Sequence, residues 1–358
     1  MSPNAAALNA PAHHRPRRLS LPRSPSVAVV GATGAVGAEL IACLERREFP
    51  LSRLKLLASA RSAGRQMKFQ DRDIQIDALD SLSLDNVDIA LFSAGSAASK
   101  QFARQAAAQG TVIIDNSSAF RMDDDVPLVV PEVNASEAFN HRGIIANPNC
   151  VAIIAAVPLW PLHRENPIRR IVAATYQSAS GAGAAAMEEL RASTEAYLQD
   201  RPFEPRVLPH PYAFNVFSHY TRVDPDSGQN DEEIKVVREL RKIMSAPGLR
   251  IGVTCVRVPV LRAHTMALNV EFERPMTPDE AREILAAAPG LQIVDDPANN
   301  RFPMPRDASG KDDVLVGRLR TDQSDPSGRT IAMLVAGDQL LKGAALNAVQ
   351  IAELLLAR

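Results

Sequence analysis

No stretch of this 358-residue chain is apolar for long enough to cross a bilayer. The longest such run, 151–160, carries Pro158, whereas a spanning helix needs roughly 20 apolar residues. An excess of one charge is lacking too. A net charge of -1 leaves no basic footprint for nucleic acid or a lipid surface. Cysteine is scarce: Cys43, Cys150 and Cys255 show no metal-ligand spacing, and an odd number cannot all pair. Metal centre and disulfide framework are therefore not expected, and a reducing compartment, the cytoplasm, is. Acid is missing from residues 1–25, where Arg15, Arg17, Arg18 and Arg23 stand among Ala, Ser, His and Pro. Such a segment buries too little to order itself and reads as a disordered basic tail. The alternative is an Arg- and Ser-rich transit peptide with a plastid address.

What is present after the tail is a chain long enough for two domains, with 46% hydrophobic residues to fill their cores. Short apolar strands at 27–30, 54–58, 87–92 and 112–115 alternate with helical patterns at 36–46 and 99–108. That alternation predicts βαβ units and a parallel, doubly wound sheet of Rossmann type. Beyond Cys150 the strands lengthen and alternate, as at 250–258 and 264–272, which predicts an α+β domain with a mostly antiparallel sheet covered by helices on one face. Residues 339–355 read as one long amphipathic helix returning to the first domain. The expected division is 26–149 with 336–358 for the dinucleotide-binding domain, and 150–335 for the catalytic and dimerisation domain.

Gly31, Gly34 and Gly37 follow the first strand and precede a helix, a variant of the dinucleotide fingerprint in its required context. Glycine permits the tight turn and lets backbone N–H groups approach a pyrophosphate at a helix start. An enzyme for NAD usually carries an acid after the second strand to bond the ribose 2′-OH. Here that position reads Ser59, Ala60, Arg61, Ser62. Arg61 offers a planar cationic fork for a 2′-phosphate, and the hydroxyls can donate to it, so NADP is expected.

Pro148 and Asn149 are helix-start signals, which put Cys150 at a helix N-terminus where the dipole lowers a thiol pKa. Gln177 closes a strand before a second glycine-rich turn at Gly181 and Gly183, as a site amide or a glutamine satisfied by its own loop. Arg257 is in phase with the apolar face of its strand and His264 with that of the next. A hairpin about 259–263 would set them opposite each other, where a charged and a titratable group need partners or a ligand. Glu232 and Lys235 share a helix face and, taken alone, make a surface ion pair worth little.

At Asn147-Pro-Asn-Cys150 the chain resembles the aspartate-semialdehyde dehydrogenases, and the resemblance extends over nearly everything after the tail. It rests also on Gly31-Ala-Thr-Gly34-Ala-Val-Gly37, Leu57-Ala-Ser-Ala-Arg61-Ser-Ala-Gly64, Asp115-Asn-Ser-Ser-Ala-Phe-Arg121 and Thr254-Cys-Val-Arg-Val-Pro259. Lys342-Gly-Ala-Ala-Leu-Asn closes the set, and Tyr212-Ala-Phe-Asn-Val-Phe-Ser-His219 is most similar to the plant-like and related bacterial branch. The resemblance implies reversible, NADPH-dependent reduction of 4-aspartyl phosphate to aspartate 4-semialdehyde and phosphate. That step feeds lysine (through diaminopimelate), threonine, methionine and isoleucine synthesis. It implies Cys150 as nucleophile, His264 as general acid/base and Gln177 as the residue orienting a thioester. Arg121, Asn116 and Lys235 would bind phosphate, and Glu232 and Arg257 the substrate's ammonium and carboxylate. The cofactor set would be Gly31, Thr33, Gly34, Ala35, Val36, Ser59, Arg61, Ser62, Ser180, Gly181 and Gln339, with no metal. The implied partner is a second copy of the chain. Three departures stand out: Val151 and Ala152 replace the usual hydroxyls after the cysteine, Leu341 replaces an arginine, and Thr265-Met266 replaces a stretch with glutamate. N-acetyl-glutamyl-phosphate reductase, which shares fold and chemistry, and a non-catalytic NADP-binding paralogue are the alternatives.

Overall fold

The computed structural model describes residues 21–357, so residues 1–20 of the expected tail lie outside the described residues. Seven strands form the first sheet: β1 (Ser26–Val30), β2 (Arg53–Ala58), β3 (Gln66–Phe69), β4 (Arg72–Ala78), β5 (Ile89–Phe92), β6 (Val112–Asp115) and β7 (Ile144–Ala146). Their order is β3-β4-β2-β1-β5-β6-β7, parallel throughout except for the β3–β4 hairpin. Strands β5 and β6 are buried at every position, as a parallel sheet covered on both faces requires. Helix α1 (Ala35–Arg46) leaves β1 for β2 on one side, while β5, followed by α2 (Ser96–Ala108), lies on the other. The winding thus reverses between β1 and β5, opening the crevice where doubly wound sheets take their ligand.

After the short helix α3 (Pro131–Asn134), helix α4 (Cys150–Glu165) crosses into the second half. From Cys150 to Leu159 it is apolar all round, and Val151, Ala152, Ile153 and Ile154 are fully buried, as expected of a helical segment with no solvent face. One core joins it to Val30 and Phe92 of the first sheet and to Ile171, Leu268 and Met333 of the second.

The second sheet comprises β8 (Ile168–Gln177), β9 (Phe217–Ser218), β10 (Arg250–Arg257), β11 (His264–Phe272), β12 (Leu291–Ile293), β13 (Val314–Thr321) and β14 (Thr330–Gly337), ordered β12-β13-β14-β11-β8-β10-β9. Helices α5 (Ala184–Leu198) and α6 (Asp231–Ile243) come between β8 and β10, and α7 (Pro278–Ala286) and α8 (Pro305–Ala308) later in the chain. The expected hairpin of β10 with β11 does not form. Strand β8 lies between them, parallel to β10 and antiparallel to β11. Alternation fixes which face a strand buries but not which strand it lies beside, and the α5–α6 crossover allows the parallel pairing. The β8–β10 register puts Gln177 against Arg257, and the β8–β11 register puts Tyr176 against Thr265, so Gln177, Arg257 and His264 still meet at one sheet end. The sheet's other face leaves Val172 and Tyr176 exposed at 43% and 39%.

The closing segment also differs from expectation. It is not one regular helix but a π-helical stretch, Leu341–Ala345, followed by α9 (Leu346–Leu356). An apolar pattern over five residues cannot separate the π from the α period. Helix α9 and α1 cover the outer face of the first sheet, with Val349 and Ile351 packed among Val29, Leu40 and Leu56. Among the described residues no helix is long and apolar enough to cross a membrane.

Candidate active site

The chain leaves β7 at Ala146, turns through Pro148 and enters α4 with Cys150 as its first residue. Asn149 is the N-cap: its side-chain oxygen accepts the N–H groups of Val151 at 2.9 Å and Ala152 at 3.3 Å. The second and third amides of α4 are thus filled by the cap and are not free for an oxyanion. The thiol departs from expectation. Burial, reinforced by Glu232, pushes Cys150 up to about 12, against the pull of Arg257, Arg121 and the Val151 N–H. A helix start favours thiolate, but removing the sulfur from water opposes it more strongly here.

His264 supplies the counterweight. Its Nε2 lies 3.5 Å from the Cys150 Sγ, while its Nδ1 receives the Ser178 backbone N–H at 3.1 Å. A backbone amide can only donate, so Nδ1 must be the acceptor and the neutral ring carries its proton on Nε2, facing the sulfur. Burial, and then Arg257, lower the His264 pKa to about 3, which keeps the ring neutral. Gly181 permits this crowding, because a Cβ there would sit 3.0 Å from both Arg257 and His264. Gly343 plays the same part beneath the nucleophile, where a Cβ would approach that of Cys150 to 3.0 Å.

One face of α6 carries the charges. Glu232, Lys235, Glu239 and Lys242 recur at helical spacing, and the helix is anchored at its start by an Asn230–Glu233 capping box. The Glu232 carboxylate accepts from the side chains of Asn149 at 2.9 Å and Gln177 at 3.1 Å, with Lys235 3.7 Å away. Burial works to raise its pKa, but the Asn149 and Gln177 hydrogen bonds and the Lys235 charge hold it below the usual range. Glu232 is therefore a buried anion and not half of a surface pair. Glu239 has the opposite balance: burial raises it, although it accepts from Arg121 at 3.1 Å and from the Asn149 N–H at 2.5 Å. Arg121 also donates to the carbonyls of Asn147 and Asn116, so three of its five N–H donors are engaged by the protein. Asn116 in turn accepts from the Asn147 amide.

Asn116, Arg121, Cys150, Gln177, Glu232 and Lys235 line an open cleft of about 350 Å³ together with Val36, Ser180, Gly181, Arg257 and Gln339. Gln339 is fixed by accepting the Ala263 N–H at 2.9 Å and donating to the Ser180 hydroxyl. The other expected cofactor residues lie outside the cleft lining. Gly31 has φ +88° and a Cβ there would strike the Ser93 carbonyl; one at Gly37 would strike that of Gly31. Gly34 caps α1 without a side-chain bond, and the first turn holds no acid, so the amides beside Thr33 and Ala35 remain open to an anion. Ser59 precedes a short turn, Ala60–Ser62, whose Arg61 is exposed after β2. This loop fits a dinucleotide with an added phosphate.

The structure thus brings Cys150, His264, Gln177, Glu232, Lys235, Arg121, Asn116 and Arg257 together around one cleft. Sequence reasoning missed Glu239 and gave His219 no role. Glu239 had a signal: it stands seven residues after Glu232 on the face already carrying Lys235. His219 had none, because its distant partners, the Arg257 side chain and the Cys255 carbonyl, come from β10.

Residues 26–141 match the family model described as semialdehyde dehydrogenase, NAD binding domain, and residues 159–342 its dimerisation domain. A curated aspartate-semialdehyde dehydrogenase of Synechocystis is 52% identical over 94% of this chain and 99% of its own length. That of Aquifex aeolicus is 46% identical over 92% of this chain and 97% of its own. The crystal structure of aspartate semialdehyde dehydrogenase II complexed with ASA from Vibrio cholerae superposes with a TM-score of 0.90. It is 42% identical, covering 93% of this chain and 98% of that one. Both domain models in order, with relatives this similar along nearly the full length, establish that the chain belongs to the aspartate-semialdehyde dehydrogenase family.

Proposed function

We propose that the protein catalyses the reversible, NADPH-dependent reduction of 4-aspartyl phosphate to aspartate 4-semialdehyde and phosphate. The observation that carries this reading is the Cys150 sulfur 3.5 Å from the His264 Nε2, in a cleft with separate cationic groups for two anions. The Cys150 sulfur attacks the acyl carbon, its proton leaves with the phosphate as the carbon–oxygen bond breaks, and a thioester remains. Arg121 and Lys235, with Asn116 behind them, receive the departing phosphate. Arg257 takes the substrate carboxylate and Glu232 its ammonium, while Gln177, tied to Glu232, orients the thioester. When bound, NADPH supplies the hydride that reduces the thioester carbon. The carbonyl then re-forms and expels sulfur, and the Nε2–H of His264 stabilises the leaving thiolate. The Cys150 N–H, the one amide of the first α4 turn that Asn149 does not fill, faces the developing oxyanion.

Asn149 before Cys150, together with the named relatives, favours this reading over N-acetyl-glutamyl-phosphate reductase. Residues 26–149 with 336–358 would hold the cofactor and 150–335 the substrate and the dimer contact. The uncovered face around Val172 and Tyr176 supports a homodimer. Three free cysteines support a cytoplasmic site of action.

The test is NADP⁺ reduction with aspartate 4-semialdehyde, with and without phosphate, beside Cys150→Ser. Phosphate-dependent turnover in the wild type, reduced by a factor of about 10⁴ or more in the variant, is the expected outcome. A folded, NADP-binding wild type without turnover would refute the assignment.

A further inference from the structure

Arg257 is a buried cation whose direct partners are uncharged. Its Nη1 donates to the Ser178 carbonyl at 2.7 Å, and its Nη2 meets His219 Nε2 at 3.0 Å. A guanidinium only donates, so His219 Nε2 must accept and the ring's proton sits on Nδ1. From there it is directed to the Thr221 hydroxyl oxygen at 3.2 Å. That same oxygen accepts the backbone N–H of Glu232 at 3.2 Å. A continuous chain, Arg257–His219–Thr221–Glu232, therefore joins the guanidinium to the backbone amide of the residue that carries the cleft's buried carboxylate.

The chain is held from outside as well. His219 is only 5% exposed, and its own N–H donates to the Cys255 carbonyl at 2.9 Å. Its ring stacks on Tyr220 with centroids 5.2 Å apart and planes 11° apart, and the Arg257 guanidinium lies 5.6 Å from the Tyr220 ring centre. Burial, opposed by Glu232 and aided by Arg257, lowers the His219 pKa to about 4, so the ring accepts without adding a charge. An acidic partner in its place would neutralise Arg257; an imidazole orients the fork and leaves its charge for a ligand.

We propose that His219, acting through Thr221, is a positioning residue that sets the spacing between Arg257 and Glu232 and so selects a substrate bearing carboxylate and ammonium on one carbon. The inference rests on the reading that Arg257 and Glu232 bind those two groups. A binding site with its charges held apart at fixed distance needs no rearrangement when the ligand enters. Without the bridge, the guanidinium keeps one hydrogen-bonded anchor, the Ser178 carbonyl, and can swing.

The experiment compares His219→Leu, His219→Gln, Thr221→Val and Arg257→Ala in the oxidative direction, varying aspartate 4-semialdehyde, phosphate and NADP⁺ in turn. Loss of one charge-orienting hydrogen bond is expected to raise the semialdehyde KM about tenfold in His219→Leu, with kcat changed by less than about threefold. The KM values for phosphate and NADP⁺ should not move, which a general loosening of the fold would not spare. Glutamine can accept from Arg257 and donate to Thr221, so His219→Gln should return the semialdehyde KM to within about threefold of wild type. Thr221→Val cuts the chain at a partly exposed residue, and decides the matter if His219→Leu does not fold; a rise of about threefold is expected. An unchanged semialdehyde KM in His219→Leu or, failing that, in Thr221→Val, while Arg257→Ala raises it, overturns the proposal. An unchanged KM in Arg257→Ala removes the reading of Arg257 itself, and the proposal falls with it.

Discussion

Two helix starts face the ligand crevice, and they are finished in opposite ways. Helix α1 begins after Gly34, with no side-chain cap and no acid in its first turn. Helix α4 begins after Asn149, whose side chain fills two of its amides. Both ends carry the same partial positive charge. The first is left open, so an anion from outside can complete it; the second is closed, so its field serves a residue of the chain, Cys150. Whether a helix N-terminus is a binding site or part of a catalytic group's scaffold thus depends on the single residue before it.

Removing the closed cap is expected to give the largest effect. Asn149→Ala frees the amides of Val151 and Ala152 and strips one donor from Glu232. Loss of the cap costs about 1–2 kcal/mol of stability, and misplacing the nucleophile lowers kcat by about 100-fold. Affinity for NADP⁺ should stay within about twofold of wild type, since the other helix start is untouched. Steady-state kinetics with cofactor fluorescence titration reads both. A parallel loss of cofactor affinity would show that the two helix ends are not independent.

The converse change closes the open end. Gly34 has φ -78° and ψ 165°, which any residue adopts, and a Cβ there would lie 3.3 Å from the Gly31 carbonyl, close but not overlapping. Gly34→Ser therefore gives α1 a side-chain cap, leaving thermal stability equal or slightly higher. Its hydroxyl would occupy the amides meant for the pyrophosphate, weakening NADP⁺ by about 30-fold. Differential scanning fluorimetry with and without cofactor separates the effects. Unchanged affinity would mean that the pyrophosphate does not rest on these amides.

How much of this was legible in the sequence follows from the range of the interactions. The glycine loop, Arg61 and the start of α4 are local devices, set by neighbours within a few positions, and they stand where the sequence puts them. The β10–β11 hairpin was misread because burial phase is local but strand adjacency is not. The Cys150 thiol was misjudged for a similar reason: the helix start is visible in Pro148 and Asn149, whereas the burial that outweighs it comes from elements far along the chain. His219 lay beyond reach because its meaning depends on Arg257 of β10 and Glu232 of α6 converging on the loop that carries His219 and Thr221.

The smallest effect concerns the far end of the open helix start, where the cofactor's extra phosphate is distinguished. Arg61 is exposed, follows Ser59 in the turn after β2 and meets no acid there. An exposed arginine gains less from an anion than a buried one, because water screens the pair. Two charge-assisted hydrogen bonds in a fork still exceed a single surface ion pair. Arg61→Ser should therefore weaken NADPH by about tenfold, or about 1.4 kcal/mol, and leave NADH unchanged. Raising the salt concentration should shrink the wild-type preference for NADPH and leave that of Arg61→Ser nearly flat. Equal losses for both cofactors would place Arg61 under the shared adenosine, and the absence of an acid after β2 would then be the only feature favouring the phosphorylated form.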